Sequence, residues 1–220
     1  ANQNNYEVAG TCSDGDGDVT LRVNGVDHTV PCSGGQWSVT IDVFALPDGA
    51  DVLSISASQT DGAGNVGTAT PETASKDTIH PSTMLDSLLS SSTSPPLTGT
   101  ISDSSATIVV TVNGLDYPAI NNGDGTWTLP AGTIAPALSE GVYDIVVTAT
   151  DTAGNSSTDS TTDGLTIDLT PPTGTVAAVT PSITNSPALS GTVSEPTATV
   201  TVTLDGHTFT ATNHGDGTWS

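Results

Sequence analysis

The sequence predicts an all-β fold, built as tandem two-sheet β-sandwiches. Three observations predict it. First, an apolar strand running into an Asp-x-Ala-Gly-Asn turn occurs twice, as Ile55–Asn65 and Ile145–Asn155. Asp61 and Asp151 therefore stand 90 residues apart, about the length of a small β-domain. Second, only 34% of the 220 residues are apolar and 4% aromatic, yet Thr, Val and Ile recur in alternation. Such a chain can fill thin cores between pleated sheets but not one broad core. Third, Asn-Gly, Asp-Gly and Pro signals interrupt the alternation about every 8 to 12 residues, and no helix is predicted.

Four landmarks recur in fixed order. Gly10-Thr11, Gly99-Thr100 and Gly191-Thr192 are separated by 89 and 92 residues. Gly25, Gly114 and Gly206 follow at the same steps, each 15 residues after its Gly-Thr pair. Trp37, Trp127 and Trp219 are separated by 90 and 92, the last two each preceded by Gly-Asp-Gly-Thr. Asp77 and Asp168 open Asp-x-x-x-Pro segments 91 apart, ending at Pro81 and Pro172. These spacings divide the chain into modules at 1–80, 81–172 and 173–220. The first is expected to lack a first strand. The third is expected to be the N-terminal part of a module, and the whole a segment of a longer chain.

In the second repeat the strands are assigned by alternation. A first strand is expected near Met84 to Leu89. Leu97, Gly99 and Ile101 face inward from the second strand, and Ile108, Val110 and Val112 from the third. Asn113-Gly114 tolerates positive φ at both central positions and closes a tight hairpin into Leu115 to Ile120. Asn24-Gly25 and Asp205-Gly206 are placed to do the same. Trp127 and Leu129 open the next strand. Tyr143, Ile145, Val147 and Ala149 face inward from the one after, and Leu165 and Ile167 from the last. Seven short strands in roughly 90 residues fit an immunoglobulin-like sandwich. Proline in both linkers predicts stiff, end-to-end stacking.

Two basic residues, Arg22 and Lys76, face 24 acidic ones, for a formal charge of -22. Nucleic acid is excluded as a partner, because displacing counterions from phosphate needs a basic stripe, and an anionic membrane surface would repel the chain. No apolar run is long enough to span a bilayer, so no direct membrane insertion is expected of these residues. Cations are the natural partners, and most of the acidic side chains need do no more than keep the chain soluble.

On Gly99-Thr100, Asn113-Gly114, Gly123-Asp-Gly-Thr-Trp127, Asp151-Thr-Ala-Gly-Asn155 and Asp168-Leu-Thr-Pro-Pro172, the chain resembles the bacterial immunoglobulin-like repeats of large surface adhesins, including biofilm-associated and RTX-type stalks. The resemblance covers all three units. It implies an extracellular, non-enzymatic extender at the bacterial cell surface, often rigidified by calcium at the junctions. Such a stalk holds a distal domain away from the cell, with the binding of host or matrix glycans or proteins left to other parts of the parent. The first repeat departs from the pattern, with Gly34-Gly35-Gln36 where the others have Gly-Asp-Gly-Thr.

Following the chain through such a sandwich puts the loops of Asp103, Asp124 and Asp151–Asn155 at one pole, to which the incoming linker brings Asp77. Asp and Asn oxygens are the hard donors that Ca²⁺ requires, so a junction calcium site is a candidate there, with Asp168, Glu195 and Asp216 as the equivalent set at the next junction. The alternative is that these residues are turn formers that bond their own backbone. Asp14-Gly-Asp-Gly-Asp18 is not an EF-hand: Val19 occupies the position that needs Gly, and Gly25 the position of the bidentate Glu. Asp14 belongs to the equivalent pole of the first module, as a terminal calcium ligand or a turn. Cys12 and Cys32 lie where they could meet, as a disulfide or as two buried thiols. His28, His80, His207 and His214 are scattered and no serine sits in a nucleophile elbow, so no catalytic set is formed. The three Trp are core residues or, alternatively, stacking platforms for sugars. Two other functions stay open beside the extender: a glycan- or protein-binding module, and a filament segment whose third module is completed by a neighbouring chain.

Overall fold

The computed structural model describes residues 5–179 and 186–220; the parts of the predicted modules 1–80 and 173–220 outside those ranges lie outside the described residues. Contacts divide the chain into two compact units, Ala1–Ile167 and Asp168–Ser220. All the regular structure among the described residues is β-strand.

The first unit holds two sets of sheets that share no strand. In the first set, β1 (Asn5–Thr11) pairs antiparallel with β4 (Gln36–Asp42). Facing it is a sheet in the order β3 (Val26–Val30), β2 (Val19–Val23), β5 (Gly49–Thr60) and β6 (Val66–Thr68), with β7 (Glu72–Lys76) also on β5. Between them Val8 and Trp37 pack with Val19, Leu21, Val30 and Leu53.

The second set comprises β8 (Thr83–Leu85), β9 (Leu88–Ser90), β10 (Leu97–Ile101), β11 (Thr107–Val112), β12 (Leu115–Asn121), β13 (Thr126–Leu129), β14 (Gly141–Thr150) and β15 (Ser156–Ile167). They run in the order β8-β10-β13-β12-β11-β14-β15-β9, folded into two facing layers. The inward residues predicted from alternation are buried: Leu97, Gly99 and Ile101 on β10, Ile108, Val110 and Val112 on β11, Trp127 and Leu129 on β13. On β14, Ile145, Val147 and Ala149 are fully enclosed and Tyr143 packs partly buried against them. Each enclosed aliphatic side chain contributes roughly 1.5–3 kcal/mol, which is how a chain of low apolar content assembles a core.

The expected first strand corrects to two. β8 pairs antiparallel with β10, whereas β9 pairs parallel with β15 on the opposite layer. The break falls at Asp86, whose N–H donates to Thr98 O at 2.9 Å, while the Leu85 N–H is taken by the Asp159 carboxylate at 2.9 Å. One stretch thereby closes both layers, with Leu85 and Leu88 turned into the core, and seven strands become eight. The hairpin after β11 has the expected geometry, with φ of 50° at Asn113 and 76° at Gly114. β12 then joins the layers, pairing with β11 up to Ala119 and with β13 from Ile120.

In the second unit β16 (Gly174–Val176), β17 (Gly191–Val193) and β20 (Thr218–Trp219) form one sheet, and β18 (Val200–Leu204) with β19 (His207–Ala211) a separate hairpin. Gly191 lies opposite Trp219 as Gly99 lies opposite Trp127 and Gly10 opposite Trp37.

Gly99 is fixed by space: a Cβ there would stand 1.9 Å from Met84 O and 2.7 Å from the Trp127 ring. Gly99→Ala is expected to destabilise the second sandwich by about 3 kcal/mol or more, since β8 must be displaced from β10. Gly114→Ala, in open space at positive φ, is expected to cost only about 1 kcal/mol. Calorimetric unfolding of both variants checks the difference.

Candidate functional site

The predicted pole of the second sandwich gathers around the linker that enters it. Asp151 and Asn155 close one turn between them. The Asp151 N–H donates to Asn155 O at 3.0 Å, and the Asp151 carboxylate accepts from the Asn155 N–H and Nδ2 at 2.8 Å each. Asn155 Nδ2 also donates to Asp77 O at 3.1 Å, so the turn grips the linker as well as itself. Beyond it, Ser157 Oγ donates to Pro81 O, and Ser82 and Ser102 exchange bonds of 2.8 and 2.9 Å. The linker is equally tied to the first sandwich, where Thr78 Oγ1 donates to the Asp48 carboxylate at 2.8 Å.

The twin turn shows what the junction adds. Asp61 and Asn65 make the same bonds, with Asn65 donating at 2.8 and 2.7 Å, yet both remain accessible to solvent. Asp151 and Asn155 are 8% and 7% exposed. The sequence makes the turn twice, and among the described residues the second lies under a linker.

Asp77, Asp151 and Asn155 are thus brought together, through the Asp77 carbonyl and not its carboxylate, which accepts from the Ile79 N–H at 3.0 Å. Asp103 accepts from Ser105 N–H and Oγ, and Asp124 from Thr126 N–H and Oγ1, each within its own loop. In the second unit Asp168 accepts from the Thr170 N–H and Asp216 from Thr218, while the Glu195 backbone carbonyl accepts from Asn213. Among the described residues no three His, Cys, Asp or Glu side chains form a group that could hold a metal ion.

Sequence reasoning missed Asn121 and Asn213. Asn121 Nδ2 donates at 2.9 Å to both Asp103 O and Ala106 O, and Asn213 does the same to Glu195 O and Ala198 O. These amides tie the loop after β10 or β17 to the Gly-Asp-Gly-Thr turn. Their signal was available: each stands six residues before its Trp.

Donors within each turn hold four carboxyls below their ordinary value of 3.8. For Asp61 and Asp151 the Asn65 and Asn155 side chains are the main cause, for Asp124 and Asp216 the Thr126 and Thr218 hydroxyls. Cys12 and Cys32 form a disulfide, and the Asp14 carboxylate accepts from the Gly35 N–H at 3.0 Å, bridging the two loops that the disulfide also joins. All three Trp are buried, at 8%, 0% and 3% exposure, so none offers a ring face to a sugar.

Residues 85–170 match the family model of the bacterial Ig-like domain. The matched stretch is nearly the whole of the second sandwich. No protein with a curated description matches the sequence. Among solved structures, a Ca²⁺-stabilized adhesin that helps an Antarctic bacterium bind ice is 26% identical over 98% of this chain and 59% of its own, with a TM-score of 0.37. A tetra-tandem repeat in the extending region of a large adhesion protein is 24% identical over 98% of this chain and 61% of its own, with a TM-score of 0.38. The fibronectin(III)-like modules of Clostridium thermocellum CbhA are 16% identical over 74% and 85%, with a TM-score of 0.48. The chain spans about three fifths of the length of the first two.

Two outcomes are expected. A carboxyl with a depressed folded-state pKa adds stability that is present above the unfolded pKa and lost as pH falls through the folded value. The second sandwich should therefore lose stability below about pH 4, and Asp151→Asn should flatten that acid limb in calorimetric scans while lowering the melting temperature at pH 7. Reducing Cys12–Cys32, which closes a 20-residue separation, should cost the first sandwich about 3 kcal/mol, read from melting with and without reductant.

Proposed function

We propose that this chain is a stretch of stalk from a bacterial surface adhesin: tandem, non-enzymatic, extracellular extender modules at 1–80, 81–172 and 173–220. The observation that carries this reading is the linker between the first two. Residues 77–82 are hydrogen-bonded on one side through Thr78 to Asp48 and on the other through Asn155, Ser157 and Ser102. A linker fastened to both neighbours transmits orientation, where a Gly/Ser tether would let them pivot. The same fastening begins the second unit, where the Thr173 N–H donates to Ser194 Oγ at 2.9 Å and the Ser194 N–H to Thr173 O at 2.9 Å. The match of residues 85–170 to the bacterial Ig-like family supports the reading, as does an acidic surface suited to a long soluble polymer.

The partners of each module are its neighbours in the chain, and recognition of glycans or proteins belongs to other parts of the parent. Calcium stands in this reading as a further clamp on the same poles. The oxygen donors offered are Asp77, Asp103, Asp124, Asp151 and Asn155 at the first junction, and Asp168, Glu195 and Asp216 at the second. Binding would draw Asp103 and Asp124 away from the amides and hydroxyls that hold them, so the donors do not fit a preformed site.

Small-angle scattering on residues 1–167 tests both levels. A stalk segment should give a single elongated distribution of distances, broadened by Asn155→Ala and Thr78→Ala together. A distribution already broad in the unaltered chain rejects the extender reading. A calcium clamp should raise the melting temperature in millimolar calcium relative to excess chelator, whereas equal values leave the hydrogen bonds as the junction's clamp.

A further inference from the structure

The sequence contains three Asn-Gly pairs, at 24–25, 113–114 and 122–123, and in each the glycine leaves its amide nitrogen unshielded by a Cβ. The fold treats them differently. Asn24 is held at both ends of its side-chain amide: Oδ1 accepts from the Ser54 N–H at 2.7 Å and Nδ2 donates to Val52 O at 3.2 Å, while its own N–H donates to Ser54 O at 2.9 Å. Asn122 is held as well. Its Nδ2 donates to Thr126 Oγ1 at 2.9 Å and Thr128 Oγ1 at 3.1 Å, and its N–H to Thr126 O at 3.0 Å. The N–H of the following Gly123 is also taken, by Asn121 Oδ1 at 3.1 Å.

Asn113 occupies the place of Asn24 in the next repeat, since Val112 pairs with Ile145 as Val23 pairs with Ile55. Its side chain is nevertheless free. Asp144 stands where Ser54 stands, and between Tyr143 and Ile145 the strand is irregular, with the Asp144 carboxylate accepting from the Asp163 N–H at 2.9 Å. Among the described residues the Asn113 side chain has no hydrogen-bond partner, and it lies exposed at the tip of the β11–β12 hairpin beside a Gly114 in open space.

We propose that Asn113 is a site of spontaneous deamidation, and that the hydrogen bonds of Asn24 and Asn122 protect the other two pairs. As the Gly114 amide gives its proton to water, its nitrogen bonds to Asn113 Cγ and the Cγ–Nδ2 bond breaks, releasing ammonia and leaving a cyclic imide. Water then opens the ring. Addition at Cγ gives aspartate and addition at the main-chain carbonyl gives isoaspartate, so water is taken up, ammonia is lost, and nothing is oxidised or reduced. The asparagine amide must swing toward the next nitrogen, which breaks no side-chain hydrogen bond at Asn113 and two at each of the others. The aspartate product fits the turn, because Asp205-Gly206 already holds it with φ of 50° and 77°, against 50° and 76° at Asn113-Gly114. It places a new carboxylate, ionised at neutral pH, on the hairpin tip. The isoaspartate product lengthens the backbone of a two-residue loop whose length sets the strand register.

The test is storage of the whole chain in mildly alkaline buffer, with and without denaturant, followed by mass-spectrometric peptide mapping, in which each conversion adds about 1 Da. Cleavage at aspartates, among them Asp116, separates Asn113 from Asn122. In the folded chain Asn113 should convert at least about tenfold faster than Asn24 or Asn122, the factor that two hydrogen bonds are worth. In denaturant the three rates should converge. Thr126→Val combined with Thr128→Val, which frees Asn122 Nδ2, should raise the Asn122 rate severalfold and leave that of Asn113 unchanged. Equal rates at the three pairs in the folded chain overturn the proposal, as does an Asn113 that stays intact for as long as the denatured chain takes to convert. An Asn122 rate unmoved by the double substitution overturns the protection by hydrogen bonds.

Discussion

One contact sets the geometry of every repeat: an indole ring laid across a glycine on the neighbouring strand. Any side chain at Gly10, Gly99 or Gly191 would come within 2.8 Å of its Trp, so the ring lies flat against bare backbone. At the second and third positions the ring's Nε1–H then reaches past the glycine to a carbonyl of the next strand, at Met84 and Thr175. Three strands are tied by one side chain. Since a strand's side chains alternate with a period of two, fixing Gly99 opposite Trp127 also fixes Leu97 opposite Leu129, with both turned inward. In the second sandwich Trp127 is the largest fully buried side chain, set in a core that is otherwise mostly aliphatic.

The acidic loops work by a different principle. Asp61, Asp124, Asp151 and Asp216 each receive N–H or O–H donors from residues two to four positions on, which favours the charged form and keeps each turn closed. Each of these carboxylates is satisfied within its own turn, and with two basic residues against 24 acidic ones the ion pairing among the described residues is that of Arg22 with Asp27. The junction uses the closed turn as a preformed block: Asn155, already held by Asp151, has one amide hydrogen left for Asp77 O. Ordering the turn first means that docking the linker fixes few further rotors.

The repeat spacing and alternation made most of the sandwich legible, because inward residues, hairpin and tryptophan positions are local consequences of strand period and turn chemistry. The split of Thr83–Ser90 was not legible. Both halves read as apolar alternation, and only the presence of β10 on one layer and β15 on the other decides that Leu85 and Leu88 face the core from different sheets. The junction was legible as a location and not as a chemistry. Asp77, Asp151 and Asn155 do meet, but by a side-chain amide on a backbone carbonyl, and a carbonyl leaves no mark in a sequence. The roles of Asn121 and Asn213 were written in the repeat and overlooked beside the acidic residues next to them.

The position of the disulfide follows from the same packing. The second sandwich buries seventeen apolar residues in one cluster and contains no cysteine, whereas the first buries eight and holds Cys12–Cys32. Leu85 and the partly buried Leu88 belong to the larger cluster, and Trp37 is 8% exposed where Trp127 is fully enclosed. A cross-link just beyond β1 and β3 constrains the unfolded chain at the pole where β1 ends, a stabilisation that does not depend on the size of the buried cluster.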